Sequence, residues 1–253
     1  MSTLKAIQFL DNNLFGSLPV DIYLPKLMKL ELSSDQLTGG IPATFGNLTR
    51  IQELNLYENN LAGELPAELG NLNLVEFVVS RNGLSGDSWR FFSSLTNCRY
   101  LKLFDVSSNQ LSGVLPPSIG NLSASLQKFY ASGCNIKGAI PAHIGNLSSV
   151  EYLLLDSNQL TGFIPSTIGK MKSLQRIDIS INKLEGYIPA ELCQLSNLGD
   201  MYLSDNMLNG SIPDCLGELK SLRNVHLGFN KLESTVPLKL WNLNDLLRLK
   251  LVP

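Results

Sequence analysis

One phrase recurs along this 253-residue chain and leaves little freedom in what it can become. Leu54-Asn55-Leu56-Tyr57-Glu58-Asn59-Asn60-Leu61-Ala62-Gly63-Glu64-Leu65-Pro66 returns as Leu153-Leu154-Leu155-Asp156-Ser157-Asn158-Gln159-Leu160-Thr161-Gly162-Phe163-Ile164-Pro165, and again over Met201 to Pro213 and Val225 to Pro237. A residue closing each short apolar run falls at Asn12, Asp35, Asn59, Asn82, Asn109, Cys134, Asn158, Asn182, Asn206 and Asn230, with separations of 23 to 27 residues. Ten units are present, and Leu249-Lys250-Leu251 opens another. A unit this short cannot bury its own apolar side; it is stable only when neighbours stack on it.

Each part of the unit has a physical role. Leu-x-Leu alternates with period two, so it predicts a short strand with its leucines inward. Stacked turns would pair these strands in parallel, and ten of them at about 4.8 Å spacing give a ladder roughly 45 Å long. The following Asn turns inward, where its amide both donates to and accepts from backbone groups of adjacent turns. Asp35 lacks the amide donor and Cys134 is a weak hydrogen-bonder, so those two turns should be less well satisfied. Next comes Leu-x-Gly-x-Ile/Leu-Pro, in which Gly permits a bend and Pro stops the strand. Nine units keep the Pro: Pro19, Pro42, Pro66, Pro116, Pro141, Pro165, Pro189, Pro213 and Pro237. The remaining segment suits a single helical or 3₁₀ turn on the convex side. The expected fold is an α/β right-handed solenoid of about ten 24-residue repeats with a parallel sheet on the concave face. Residues 1–253 would form one domain without recognisable terminal caps.

This pattern resembles the leucine-rich repeat, and Leu-x-Gly-x-Ile-Pro in a 24-residue frame resembles its plant-specific subclass. That subclass dominates the extracellular domains of plant receptor-like kinases. Trp89-Arg90-Phe91-Phe92-Ser93-Ser94-Leu95-Thr96-Asn97-Cys98 fills the one 27-residue unit, which lacks the Pro. It is similar to an insert of the receptor kinase subfamily that includes the rice bacterial-blight receptor and the flagellin and elongation-factor receptors. Glu191-Leu192-Cys193-Gln194-Leu195 and Ile212-Pro213-Asp214-Cys215-Leu216-Gly217 also resemble that subfamily. The resemblance implies recognition of a peptide or protein on the outer side of the plasma membrane, with a leucine-rich repeat co-receptor kinase recruited. It also implies a serine/threonine kinase in the parent protein.

Receptors of this class carry a signal peptide, Cys-paired caps, a membrane helix and a kinase. Here Met1 begins almost inside a repeat, Val252-Pro253 ends on a raw edge, and no signal peptide or kinase signature is legible. The expectation is therefore a fragment of a larger receptor, tied to the membrane only through segments outside this sequence. Alternative readings are a secreted polygalacturonase inhibitor, a kinase-less receptor-like protein, and a truncation without function.

Composition narrows the chemistry. Net charge is −2, which gives no electrostatic reason to expect nucleic acid. His143 and His226 are the only histidines and lie far apart, so no metal site is expected and no cofactor is implied. Acids such as Asp156 and Asp178 would stand on neighbouring strands of an open sheet, which does not exclude water as an active site should. This chain is not expected to be an enzyme.

What remains is modification and binding. Four sequons are present, at Asn47, Asn121, Asn146 and Asn209. The first three share one convex position in the unit, whereas Asn209 lies near the Gly-Ile-Pro bend and is the poorer acceptor. Cys193 and Cys215 occupy nearly the same place on adjacent turns, within disulfide reach if the chain matures in an oxidising compartment. Cys98 and Cys134 read as buried free thiols. On the concave face, side chains project from a rigid sheet and lose little entropy on binding. Its candidate ligand-binding residues are Tyr130, Leu154, Asp156, Asp178, Ile181, Tyr202, Asp205, His226 and Phe229. Tyr130, Leu154, Ile181, Tyr202 and Phe229 would form one apolar run on five successive turns. Arg81 and His226 appear as the only nitrogen-bearing charges among the acids, which points to a basic peptide or protein partner.

Overall fold

The computed structural model describes residues 3–86, 89–233 and 235–251. The expected edge at Val252-Pro253 and the start at Met1 lie outside the described residues. Each Leu-x-Leu segment forms a strand, and eleven such strands, from Ala6–Leu10 to Arg248–Lys250, pair in parallel and in chain order. The inward leucines form one continuous apolar core, with Leu54, Leu56, Leu153, Leu155 and Leu203 fully buried.

Each turn then crosses a second, flanking sheet through the Leu-x-Gly-x segment. This sheet has two parts, a four-stranded one from Phe15–Ser17 to Gly83–Leu84 and a six-stranded one from Gly113–Val114 to Lys231–Leu232. The Pro that follows caps a short 3₁₀ helix, as Pro165 does for Ser166–Lys170 and Pro189 for Ala190–Gln194. These helices line the convex side.

The gap in the second sheet falls at the 27-residue unit. There the Pro-capped 3₁₀ turn is replaced by the α-helix Arg90–Leu95, and among the described residues only a Ser85–Gln110 bridge joins the two parts. The helix drives Phe92 into the core, with its ring 5.2 Å from Phe104 and 4.7 Å from Trp89. Trp89 Nε1 donates to the Ser112 carbonyl at 2.8 Å, satisfying the one polar atom of a buried indole. Extra chain length is thus converted into an aromatic plug.

The amide ladder forms. Asn158 Oδ1 accepts from the Cys134 and Ile136 N–H groups at 3.0 Å, and Nδ2 donates to Ala131 O at 2.8 Å and to Leu155 O and Asp156 O at 3.0 Å. Asn59, Asn82, Asn109, Asn182, Asn206 and Asn230 repeat the pattern between turns. Asn12 does not join it. It is exposed and donates to Leu10 O alone among the described residues; the cross-turn partners of the other rungs belong to a preceding turn, and Asn12 lies in the first one described.

The two irregular rungs behave as their chemistry dictates. Asp35 Oδ1 accepts from Leu14 N–H at 3.0 Å, but its Oδ2 is buried without a hydrogen-bond partner. The Cys134 thiol donates to Val106 O at 3.2 Å, and burial pushes its pKa up to about 12. It has no oxygen to offer Leu111 N–H in the way Asn158 serves Ile136.

On the convex side the 3₁₀ helices approach closely through glycine. A Cβ on Gly169 would stand 2.7 Å from Glu191 O in the next helix, and one on Gly46 would stand 2.6 Å from Glu68 O. Cys193 takes that glycine's place in Ala190–Gln194, and Cys215 takes the Glu191 place one turn on. The two are joined as a disulfide with Cα atoms 5.7 Å apart, so a covalent link stands where other turns use bare backbone contact. Cys98 and Cys134 are buried and free.

Replacing Asp35 with Asn should supply the missing donor and raise stability by about 1 kcal/mol, whereas Asn158→Ala strands several backbone groups and should cost about 3 kcal/mol or more. Urea unfolding midpoints of the two variants check both signs.

Candidate functional site

Each turn offers the concave face two outward strand residues and then a turn residue just before the ladder Asn. The middle strand row runs Asp105, Tyr130, Leu154, Asp178, Tyr202, His226 and Lys250, each paired with the next. Beside it runs Leu103, Lys128, Tyr152, Arg176, Asp200, Asn224 and Arg248 in the same register.

This register corrects the expected apolar run. Tyr130, Leu154 and Tyr202 share the middle row, but Ile181 and Phe229 do not. They sit three residues later in the left-handed turn, at φ 53° and 55°, with 56% and 59% exposure. Asp205 belongs to that turn row as well, at φ 55°. A β-branched Ile is disfavoured in this region of backbone space, so its position is imposed by the ladder Asn that follows. The apolar side chains therefore form two parallel lines, one on the sheet and one along its rim.

The expected scarcity of cations is also overturned. Lys29, Lys128, Arg176, Arg248 and Lys250 all stand at outward strand positions. Lys29, Lys128 and Arg176 each stand six residues before the ladder residue, outside the short stretch next to it from which the face reads as acidic. Acids dominate only the early turns, where Glu31, Glu53 and Glu76 lie on neighbouring strands.

Arg176 organises the later turns. Its Nη2 donates to Tyr202 Oη at 3.0 Å, its Nε lies 3.2 Å from Asp200 Oδ2, and its guanidinium sits 5.0 Å from the Tyr202 ring centre. Asn224 Nδ2 donates to the other Asp200 oxygen at 2.7 Å. The His226 ring meets Tyr202 edge-on at 4.6 Å, and its Nε2 is buried without a hydrogen-bond partner. Burial, with Lys250 and Arg248 nearby, holds the His226 pKa below the usual imidazole range. Burial also raises Asp178, and Asp156 adds to this, while Ser180 opposes it by donating to the Asp178 carboxylate. Tyr130 is half-buried with its hydroxyl pKa raised for the same reason, desolvation. Tyr202 is thus locked between a guanidinium and an imidazole, which makes it a preorganised ring on a rigid sheet.

An open groove lined by Tyr152, Gln175, Arg176, Asp200 and Arg223 continues this surface toward the convex side. No group of three or more His, Cys, Asp or Glu among the described residues is arranged to hold a metal ion. The sequon residues Asn47, Asn121 and Asn146 are exposed at the ends of the 3₁₀ helices Ala43–Asn47, Pro117–Asn121 and Ala142–Asn146. Asn209 is half-buried in the flanking strand Met207–Gly210.

A family model for a leucine-rich repeat region matches residues 77–251, and a leucine-rich repeat model matches residues 50–72. The chain belongs to the leucine-rich repeat proteins. Receptor kinase-like protein Xa21 of Oryza sativa subsp. japonica is 36% identical over 91 residues, which cover 36% of this chain and 6% of that protein. Receptor-like protein 41 of Arabidopsis thaliana is 27% identical over 184 residues, 71% of this chain and 18% of that protein. Among solved structures, a TDR receptor superimposes with a TM-score of 0.89 at 33% identity, covering 98% of this chain and 42% of that one. The ectodomain of the Arabidopsis thaliana membrane receptor kinase GASSHO1/SCHENGEN3, in complex with CASPARIAN STRIP INTEGRITY FACTOR 2, gives 0.86 at 33% identity, covering 98% and 32%. The Arabidopsis receptor kinase HAESA, in complex with the peptide hormone IDA and the co-receptor SERK1, gives 0.65 at 30% identity, covering 99% and 50%. The leucine-rich repeat chain thus spans a small part of the relatives it matches and half or less of these ectodomains.

A direct check on the site's electrostatics is the His226 titration. Its folded pKa is depressed, so its contribution to stability is present above the unfolded imidazole pKa and is lost as pH falls through the folded one. NMR ring-proton titration should place His226 below the usual imidazole range, and Lys250→Met should move its midpoint upward. An unmoved midpoint would mean that Lys250 does not act on this ring.

Proposed function

We propose that this chain is a peptide-binding segment of the extracellular domain of a plant receptor. The carrying observation is the concave strip in which Tyr130, Leu154, Asp178, Tyr202 and His226 follow one another on successive rigid strands. Such a strip suits an extended peptide, since ordered aromatic anchors contribute area at low entropic cost. Because Arg176, Arg248 and Lys250 share the surface with Asp156, Asp178 and Asp205, the ligand favoured is one of mixed charge. A preference for basic side chains is confined to the early turns. Similarity to HAESA, solved with the peptide hormone IDA, supports this reading.

The finer parts of the reading follow from the same relatives. The parent protein is a plasma-membrane receptor-like serine/threonine kinase, and a leucine-rich repeat co-receptor kinase joins the complex, as SERK1 does with HAESA. A second reading, a receptor-like protein without a kinase, is supported by the longer alignment with Receptor-like protein 41. The sequence downstream of this chain separates the two.

The binding test uses the secreted 253-residue chain and a library of synthetic peptides immobilised at their ends. Tyr130→Ala with Tyr202→Ala should weaken the peptides retained by the unmodified chain by about tenfold or more, the effect of removing two buried anchors. Unchanged affinity in a variant with an unchanged circular dichroism spectrum would remove the strip from the site.

A further inference from the structure

The six-stranded flanking sheet turns one side to solvent, and one row on it is apolar. Val114, Ala139, Phe163 and Tyr187 each follow the glycine of Leu/Ile-x-Gly-x in four successive turns. Phe163 and Tyr187 are 66% and 72% exposed. Their rings do not project freely. A Cβ placed on Gly186 would collide with Cδ1 and Cε1 of Phe163, and one on Gly210 would collide with the same atoms of Tyr187. Each ring therefore lies across the glycine of the following turn, held down on the sheet with much of its surface in water.

In the next turn the row's place is taken by Ser211, an exposed residue that completes the sequon Asn209-Gly210-Ser211. The strand Lys183–Tyr187 pairs in parallel with Met207–Gly210, and the register sets Tyr187 beside Asn209. Paired residues of neighbouring parallel strands point to the same face of a sheet. The Asn209 amide has its Oδ1 buried without a hydrogen-bond partner, which leaves Nδ2 as the outer atom. A substituent on Nδ2 would emerge next to the Tyr187 ring, with Phe163 one strand further along.

We propose that Asn209 carries an N-linked glycan whose innermost sugars pack on Tyr187 and Phe163, so that this flank presents carbohydrate instead of bare aromatic surface. The inference rests on the extracellular reading above. In the attachment step Nδ2 forms a bond to the anomeric carbon of a lipid-linked oligosaccharyl diphosphate. The bond from that carbon to the diphosphate oxygen breaks, its electron pair leaves with the diphosphate, and the amide gives up one proton. The C–H face of a pyranose ring is apolar and carries partial positive charge, which matches the electron-rich face of an aromatic ring. Bend geometry makes Asn209 look the poorest acceptor of the four sequons, but it is the one that the sheet register sets beside an exposed aromatic ring.

The test is to express the full chain in a secretory host, map occupancy of all four sequons by glycopeptide mass spectrometry, and footprint the native protein with hydroxyl radicals. The expected result is an occupied Asn209, with Tyr187 and Phe163 oxidised about fivefold more slowly than in Ser211→Ala, the order of protection that a stacked aromatic contact provides. Enzymatic trimming of the native glycoprotein to its protein-linked sugar should expose the same two rings, which covers the case in which Ser211→Ala does not fold. Occupancy at Asn47, Asn121 or Asn146 with Asn209 bare would overturn this proposal and leave the extracellular reading standing. Four bare sequons would overturn both. An occupied Asn209 with both rings oxidised at the unglycosylated rate would overturn the packing.

Discussion

In seven turns a single carboxamide holds the bend that gives this molecule its shape. Where the concave strand ends, the chain must bend sharply and leaves backbone N–H and C=O groups pointing inward, beyond the reach of water. Asn is suited to this place because its side chain accepts and donates at once. Asn158 accepts from the Cys134 and Ile136 N–H groups of the turn before, and it donates to three carbonyls across the two turns. Leaving such groups unpaired costs about 1–3 kcal/mol each, comparable with the burial of a leucine. Leucine burial thus drives the stacking, and the amide fixes where each turn is allowed to bend.

That fixed bend has consequences on all three surfaces. It aligns the strands so that Tyr130, Leu154, Asp178, Tyr202 and His226 fall into one line. It forces the preceding residue into the left-handed region, which places Ile181, Asp205 and Phe229 on a rim of their own. It also brings the convex helices so close that glycine is required at Gly169 or Gly46, and the disulfide at Cys193 and Cys215 occupies the corresponding contact. The binding face, the rim and the convex staple are three outcomes of one local constraint.

Much of this was legible in the chain itself, since a period of about 24 residues with an inward amide admits few folds. The strands, the helices, the ladder and the Cys193–Cys215 pairing all follow from register. What was not legible depended on which face a residue joins. Ile181, one residue before Asn182, and Tyr202, four before Asn206, both read as outward in the sequence, yet a φ of 53° puts Ile181 outside the sheet. Lys128, Arg176 and Arg248 lie at the start of their strands, away from the ladder position, so the stretch beside that position is more acidic than the whole face. The flanking sheet is not legible because Leu-x-Gly-x reads as a bend, although its residues pair between turns as Lys137 does with Gln159.

Amide hydrogen exchange along the solenoid tests the central claim most directly. If the carboxamides fix the turns, the N–H groups of Ile136, Leu160, Leu184 and Leu208, each bonded to a ladder Asn Oδ1, will be among the slowest to exchange, alongside the strand amides. Leu111 N–H, which faces the Cys134 rung, will exchange markedly faster than these four. Uniform protection across all five, or fast exchange at the four paired amides, would show that leucine burial alone sets the turns and that the ladder is incidental.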